Sequence, residues 1–530
     1  MSQVKLYDTT LRDGAQQEGI SFSVADKLKI AQKLDDLGIH YIEGGWPGGN
    51  PKDTEFFAKA QNLNLQHSIL VACGSTRHPD SKVEKDANIR ALVGAKTKVV
   101  TIVGKSHGLQ VTHVLGISLE GNLRLISESI DYLKSKGLVV FYDAEHFFDG
   151  YKANPNYTIE TIEIARKAGA DCVVLCDTNG GSLPSEVAAA VEFVRKTVDV
   201  PLGIHAHNDA ELAVANSLIA VQSGVAQVQG TMNGYGERCG NANLCSIIPD
   251  LQLKIGLSCL TNEQMAKLTE VSRYIAEVAN LTSPSNLPYV GARAFTHKAG
   301  LHVSALLKWE DSYQHVNPKL VGNIPKVVVS ELSGKGNVIY KAKELGVDLP
   351  PEGEQASQIL EQIKLMESRG FQYEGANASF ELLLHRTQAN YKRPFELVDY
   401  MVVVERLRRP SASGGEPELL SEATVKVKVG DRIMHTAAEG NGPVNALDCA
   451  LRKALVEFYP NVTVVELVDY KVRILEESSG TESQVRVLIE SSDGQQQWRT
   501  VGSSTNIIEA SWLALADSLE YWLIKQNISY

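Results

Sequence analysis

The seven cysteines, Cys73, Cys172, Cys176, Cys239, Cys245, Cys259 and Cys449, nowhere stand in CxxC spacing. The pattern signals neither a disulfide framework nor a structural zinc knuckle, and it fits a reduced, cytoplasmic compartment. Long apolar runs are missing too: none approaches the roughly 18 residues of a membrane span. Lys5, Asp8, Arg12 and Asp13 stand where a signal peptide would need an apolar core. Positive charge is in deficit, and a formal net charge of −11 argues against a nucleic-acid surface. No GxxxxGK loop offers to cradle phosphates. What remains is a chain of 530 residues, 43% hydrophobic and 22% charged, an ordinary globular composition. Single cores rarely grow past about 250–300 residues, so two or three domains are expected.

From residue 4 to about 255, β-branched apolar runs alternate with amphipathic segments eight times. The strand-like runs are VKLYDTT (4–10), YIEGGWP (41–47), SILVACG (68–74), KVVTIVG (98–104), LVVFYDAE (138–145), CVVLCDTN (172–179), LGIHAHND (202–209) and VQGTMNGYGER (228–238). ADKLKIAQKLDDLG (25–38) and YTIETIEIARKAG (157–169) are typical of the helical stretches between them. Strands separated by single helices make a parallel sheet. Eight such units imply closure into a (β/α)₈ TIM barrel, whose chemistry gathers at the C-terminal ends of its strands. Asp13, Glu43, Glu145, Asp177, Thr178, His205 and His207 all fall at such ends.

His205 and His207 stand two apart in a strand, so both imidazoles point to one face. A His-x-His among 13 histidines is weak by itself. Joined to the RDG of LYDTTLRDGAQ (6–16), it reads as a divalent metal site built from Asp13, His205 and His207. Mixed N/O ligation suits several divalent ions. Three protein ligands leave positions open for substrate, and such an ion polarises a carbonyl. Arg12, beside Asp13, offers a fixed cation to negative charge developing there. The glycines of GYGERCGNAN (234–243) let the backbone turn tightly, which could bring Asn241 in as a fourth ligand. A loop that only closes the barrel is the simpler reading of that spacing. Glu43 is expected to orient Arg12 or to contact substrate, and Asp177 to support the histidines or Thr178.

Residues 256–390 read as helical, most clearly at 262–280 and 353–370. Between these lies FTHKAGLHVSALLKWEDSYQHVNP (295–318), with His297, His302, His315 and Tyr313. The last 140 or so residues hold a repeat: ELVDY occurs at 396–400 and 466–470. Each copy runs through strand-like alternation into an Ala-rich helix, at 443–458 and 507–522. A duplicated βββα unit suits an effector-binding or dimerising module. RRPSASGGEPE (408–418) has loop composition and reads as a mobile insertion in the first copy.

RDGAQ, HAHND and GERCGN, in that order on an eight-fold βα pattern, resemble the metal-dependent Claisen-condensing and aldolase superfamily. It includes isopropylmalate, homocitrate and citramalate synthases and hydroxymethylglutaryl-CoA lyase. LHVSALLKWEDSYQHVNP (301–318) is similar to the subdomain after the barrel in the synthases, and the repeated tail to their regulatory dimer domain. VFYDAEHFFDGY (140–151) and TVGSSTNIIEASWLAL (500–515) most resemble the longer type of citramalate synthase. The resemblance implies a catalytic barrel at 1–257, helical subdomains completing the active site at 258–390, and a regulatory, dimerising domain at 391–530. It implies acetyl-CoA and pyruvate as substrates, citramalate and CoA as products, and a divalent ion (manganese, magnesium or zinc) on Asp13, His205, His207 and Asn241. Thr178 would hold the pyruvate carboxylate and Arg12 the alkoxide, with Glu145 near the acetyl methyl. His302 and Tyr313 would reach a barrel mouth of the partner subunit and assist proton transfer. Here Asp143-Ala144-Glu145-His146 replaces the Glu-Asp pair of many relatives, so the role of Glu145 rests on the register of strand five.

The acetyl methyl is a feeble acid and needs a positioned base, either Glu145 or His302. Because citramalate leads toward isoleucine, isoleucine is the expected effector of a homodimeric enzyme. Two rivals stand beside this reading. A synthase for a larger 2-oxo acid, isopropylmalate or homocitrate synthase, would differ by a few side chains, worth about 1–3 kcal/mol per methylene. A non-catalytic amino-acid sensor would be marked by loss of a metal ligand, and all three are present.

Overall fold

In the computed structural model, residues 4–347, 349, 354–405, 420–475 and 482–526 are described. They fall into two compact units, one spanning Met1–Phe295 and His315–Pro325, the other Thr296–Gln314 and Lys326–Tyr530.

The first unit is a closed barrel of eight parallel strands: β1 (Lys5–Asp8), β2 (Tyr41–Gly45), β3 (Ile69–Ser75), β4 (Val99–Lys105), β5 (Val139–Glu145), β6 (Cys172–Asp177), β7 (Leu202–Ala206) and β8 (Gln227–Gly230). Closure is made by β1 against β8, from Lys5 opposite Gln227 to Asp8 opposite Gly230. Pleating sends alternate side chains to opposite faces. Leu6, Ile42, Ala72, Val100, Val173, Ile204 and Val228 pack outward under the helices. Tyr7, Val71, Val99, Phe141, Cys172 and Val174 fill the interior. Further along the same inward positions the residues turn polar: Glu43, Asp143, His205 and Gln229, all buried. A barrel is a packed core whose chemistry is confined to one end, and this change of composition marks that end.

Helix boundaries follow local chemistry. The helix Val24–Leu37 opens on a Ser23–Asp26 capping box and stops at left-handed Gly38. Pro155 sits at the first turn of Pro155–Lys167, with Asn154 as its cap. Strand eight is shorter than its apolar run suggested, ending at Gly230. Beyond it the chain turns at Met232–Gly234, with Asn233 at φ 62°. Strand seven likewise ends at Ala206, one residue before His207.

The second unit is mostly helical up to Arg386, with a two-residue strand pairing, Thr296–His297 beside Lys326–Val327, interrupting the helices. The repeat is present as two antiparallel sheets with the same order. Strands Glu396–Glu405, Leu420–Val429 and Arg432–Gly440 lead into helix Pro443–Leu455; Glu466–Ile474, Val485–Ser492 and Gln497–Ser504 lead into Ile507–Lys525. Each ELVDY carries a bulge at the same place, between Leu397 and Asp399 and between Leu467 and Asp469. A shared register irregularity is strong support for duplication. The stretch 408–418 lies outside the described residues.

Candidate metal centre and active site

After β1 the backbone folds sharply: the amides of Arg12, Asp13 and Gly14 all donate to the Thr9 carbonyl, at 3.1, 2.9 and 3.0 Å. The turn presents Arg12 and Asp13 beside the end of β7. Asp13 Oδ2 lies 3.4 Å from His205 Nε2 and 3.9 Å from His207 Nε2, and the two Nε2 atoms are 3.3 Å apart. His207 stays in register past the strand end through an isolated bridge to Asn241. Asn241 donates its amide to Asp13 Oδ1 at 3.0 Å and to the Tyr235 carbonyl at 3.2 Å. Among the described residues its buried Oδ1 has no hydrogen-bond partner. The loop that carries it depends on glycine: a Cβ on Gly240, at φ 88°, would lie 2.0 Å from the Gly234 carbonyl oxygen.

Arg12 bridges two carboxylates, Nε to Glu43 Oε2 and Nη1 to Asp13 Oδ2, both at 3.1 Å. Burial opposes charge on Asp13, but Arg12 and then the two imidazoles outweigh it and hold the carboxyl well below the usual range. Burial, helped by the nearby His205, pushes His207 down to about 4, so its ring is neutral at pH 7. Asp13, His205 and His207 thus form a buried cluster whose ligand atoms all lie within 4.8 Å of one another. Two imidazole nitrogens facing each other beside a carboxylate oxygen form a donor set that suits a divalent cation. The orphaned Asn241 Oδ1 is a further oxygen donor at the same place.

Thr178 is half-buried just past β6. Its hydroxyl accepts from the His146 amide at 2.8 Å. With that acceptor role taken, the O–H is left to donate, as a bound carboxylate would require. Glu145 ends β5 with the same inward parity as Asp143 and pairs with Lys105 Nζ at 2.5 Å. Both line a cavity of about 590 Å³ with Trp46, Ser75 and Arg77. Asp177 departs from expectation: its carboxylate accepts from Ser182 Oγ at 2.9 Å and the Ser182 amide at 3.2 Å. It shapes the loop after β6, and only its backbone carbonyl meets His207, from whose amide it accepts at 3.2 Å. His302 and Tyr313 lie in the second unit, on helix Gly300–Lys308 and the turn Glu310–Tyr313, stacked with ring centroids 4.1 Å apart.

The HMGL-like profile matches residues 3–275, more than half of the chain. The chain belongs to this family. A homocitrate synthase post-HMGL domain-like profile follows at 289–370, and the LeuA allosteric (dimerisation) domain at 374–523. The chain is 54% identical to the (R)-citramalate synthase of Geobacter sulfurreducens, covering 99% of each chain. Its identity to the (R)-citramalate synthase of Aquifex aeolicus is 53%, over 99% of this chain and 98% of that one. The 2-isopropylmalate synthase of Methanocaldococcus jannaschii is 30% identical over 99% of this chain and 96% of its own. This member of the HMGL-like family is therefore a Claisen-type acyltransferase of the isopropylmalate and homocitrate synthase group.

Two parts of the site were not singled out from sequence. Gln229 Oε1 meets His205 Nδ1 at 2.9 Å, and Gln229 Nε2 reaches Asp143 Oδ1 at 3.2 Å. The available signal was QVQG (227–230), where glutamines alternate with valine in a strand that a barrel buries on both faces. Arg238 clamps Asp209 through two nitrogens at 2.8 and 2.9 Å and also donates to the Thr178 carbonyl at 2.8 Å. No spacing in the sequence announces that contact.

Proposed function

We propose that this chain condenses acetyl-CoA with pyruvate and water to give (R)-citramalate and free CoA. The observation that carries the reading is 46–54% identity, along nearly the whole chain, to five relatives each named (R)-citramalate synthase. The barrel-mouth geometry supplies the chemistry. Asp13, His205 and His207, with Asn241, would hold a divalent ion, which would supply Lewis-acid polarisation of the keto oxygen. Arg12, fixed by Glu43, stabilises the alkoxide formed there. Thr178 donates its hydroxyl hydrogen to the pyruvate carboxylate.

Glu145, bordering a cavity with room for the thioester end of acetyl-CoA, or His302 takes a proton from the acetyl methyl. The enolate carbon attacks the keto carbon, a C–C bond forms, and the alkoxide takes up a proton. Water then cleaves the thioester C–S bond and CoA leaves as the thiol. Tyr313, stacked on His302, assists proton transfer. The helix bearing His302 exposes Leu301 (84%), and Trp309 (66%) follows it, an apolar surface suited to the barrel mouth of a partner subunit.

In this reading residues 1–257 are catalytic, 258–390 complete the site, and 391–530 form the regulatory, dimerising domain. Isoleucine is the effector and the cytoplasm the compartment. Among the described residues no helix is long and apolar enough to cross a membrane. Incubation with acetyl-CoA and pyruvate, with products identified by mass spectrometry and chiral chromatography, tests the reaction. The expected product is (R)-citramalate, formed only with a divalent ion present. Thioester hydrolysis to acetate, with no five-carbon acid, would refute the proposal.

A further inference from the structure

The metal-site histidines differ in what lies behind them. Among the described residues, His207 Nδ1 has no hydrogen-bond partner, whereas His205 Nδ1 faces Gln229 Oε1 at 2.9 Å. Gln229 is fully buried, and its amide nitrogen reaches the carboxylate of Asp143, itself 3% exposed, at 3.2 Å. A primary amide is ambivalent, since turned over it presents donors where it had offered an acceptor. A carboxylate on one side removes the ambivalence. It accepts from Gln229 Nε2, so Oε1 must face His205, so Nδ1 must carry the ring hydrogen. The lone pair is then on Nε2, the atom turned toward Asp13 and His207.

We propose that Asp143 and Gln229 are positioning residues that lock the tautomer and ring orientation of His205 for metal binding. The proposal rests on the reading that Asp13, His205 and His207 hold a divalent ion. Replacing Asp143 by asparagine should release the relay: an amide at 143 can accept from Gln229 Nε2 or donate to Gln229 Oε1, so Gln229 is free to turn its nitrogen toward Nδ1. A ring tautomer with hydrogen on Nε2, which opposes the ion, then competes with the binding one. Partners of this kind typically change metal affinity about 10–100-fold.

The test measures Mn²⁺ affinity of the full-length, chelator-stripped protein by paramagnetic resonance of the free ion. His205→Ala comes first: loss of the tight site locates the ion there, whereas wild-type affinity would overturn the metal reading and the relay with it. Asp143→Asn should then weaken binding about 10–100-fold with the melting temperature of the metal-free protein unchanged. The decisive variant is Asp143→Asn combined with Gln229→Glu. A carboxylate at 229 accepts from both the new amide and His205 Nδ1, so affinity should return to within about threefold of wild type, a coupling that only contacting residues show. Wild-type affinity in Asp143→Asn, or no recovery in the double variant, would overturn the proposal.

Discussion

The barrel and the duplicated C-terminal module solve the same problem, a sheet with two faces, in opposite ways. Closure leaves the barrel no edge. Every residue of β6 and β8 is buried, and the inward positions that turn polar do so at one end. The module instead keeps two open three-stranded sheets, each with a helix on one face. In Leu420–Val429 burial alternates residue by residue, while Glu396–Glu405 and Glu466–Ile474 are largely exposed. Those exposed strands are apolar in part: Leu397, Val398, Met401 and Val404 in one copy, Leu467, Val468, Val472 and Ile474 in the other. A closed sheet concentrates a reaction at its mouth. An open one keeps surface for a second chain or a small effector, and the LeuA dimerisation domain matches this part of the chain.

Four changes test that division. The largest effect is expected from His207→Ala, which should lower kcat by at least about 10³-fold, the order of loss when several kcal/mol of Lewis-acid stabilisation disappear. Steady-state kinetics will show that loss, and sedimentation should show an unchanged oligomeric state. Removal of residues after about 390, a boundary set only to within a few positions, should abolish isoleucine binding in titration calorimetry. Met401→Glu with Val472→Glu places charge on the exposed strands. It should weaken self-association about tenfold or more, as buried unpaired charge does, with metal affinity unchanged by equilibrium dialysis.

The smallest effect concerns His40, whose Nδ1 accepts from the Leu6 amide of β1 at 3.1 Å. Burial, with the charge of Lys5, lowers it from 6.5 to about 4. Between those values the unfolded chain binds more protons than the folded one, so stability falls as pH drops from 6.5 toward 4 and is flat above. Thermal melts of His40→Gln should show a shallower acid limb.

The barrel was legible because βα alternation repeats eight times, and each repeat must bury both faces of a strand. RDG and HAHND were legible because their spacing has few structural uses in combination. The bulged ELVDY pair also showed in sequence as a literal repeat. Less legible was anything set by one side chain reaching across strands. Asp177 reads by position as a support for the histidines or Thr178, yet Ser182, five residues on, takes both its carboxylate oxygens. Gln229 stands out by nothing but its place in QVQG, yet touches His205, and Arg238 reaches 60 residues back to the Thr178 carbonyl. Such contacts follow from barrel closure, which brings distant strand ends together after the local pattern has been read.

In the proposed reaction the Asp13, His205 and His207 cluster supports a Claisen condensation on a small 2-oxo acid. Thiol release from acetyl-CoA, followed in parallel with pyruvate, 2-oxoisovalerate and 2-oxoglutarate, with and without a chelator, tests it most directly. Release with pyruvate alone, abolished by chelation and restored by Mn²⁺, is the predicted result. Preference for 2-oxoisovalerate or 2-oxoglutarate would contradict the substrate, and release indifferent to chelation would contradict the role of the cluster.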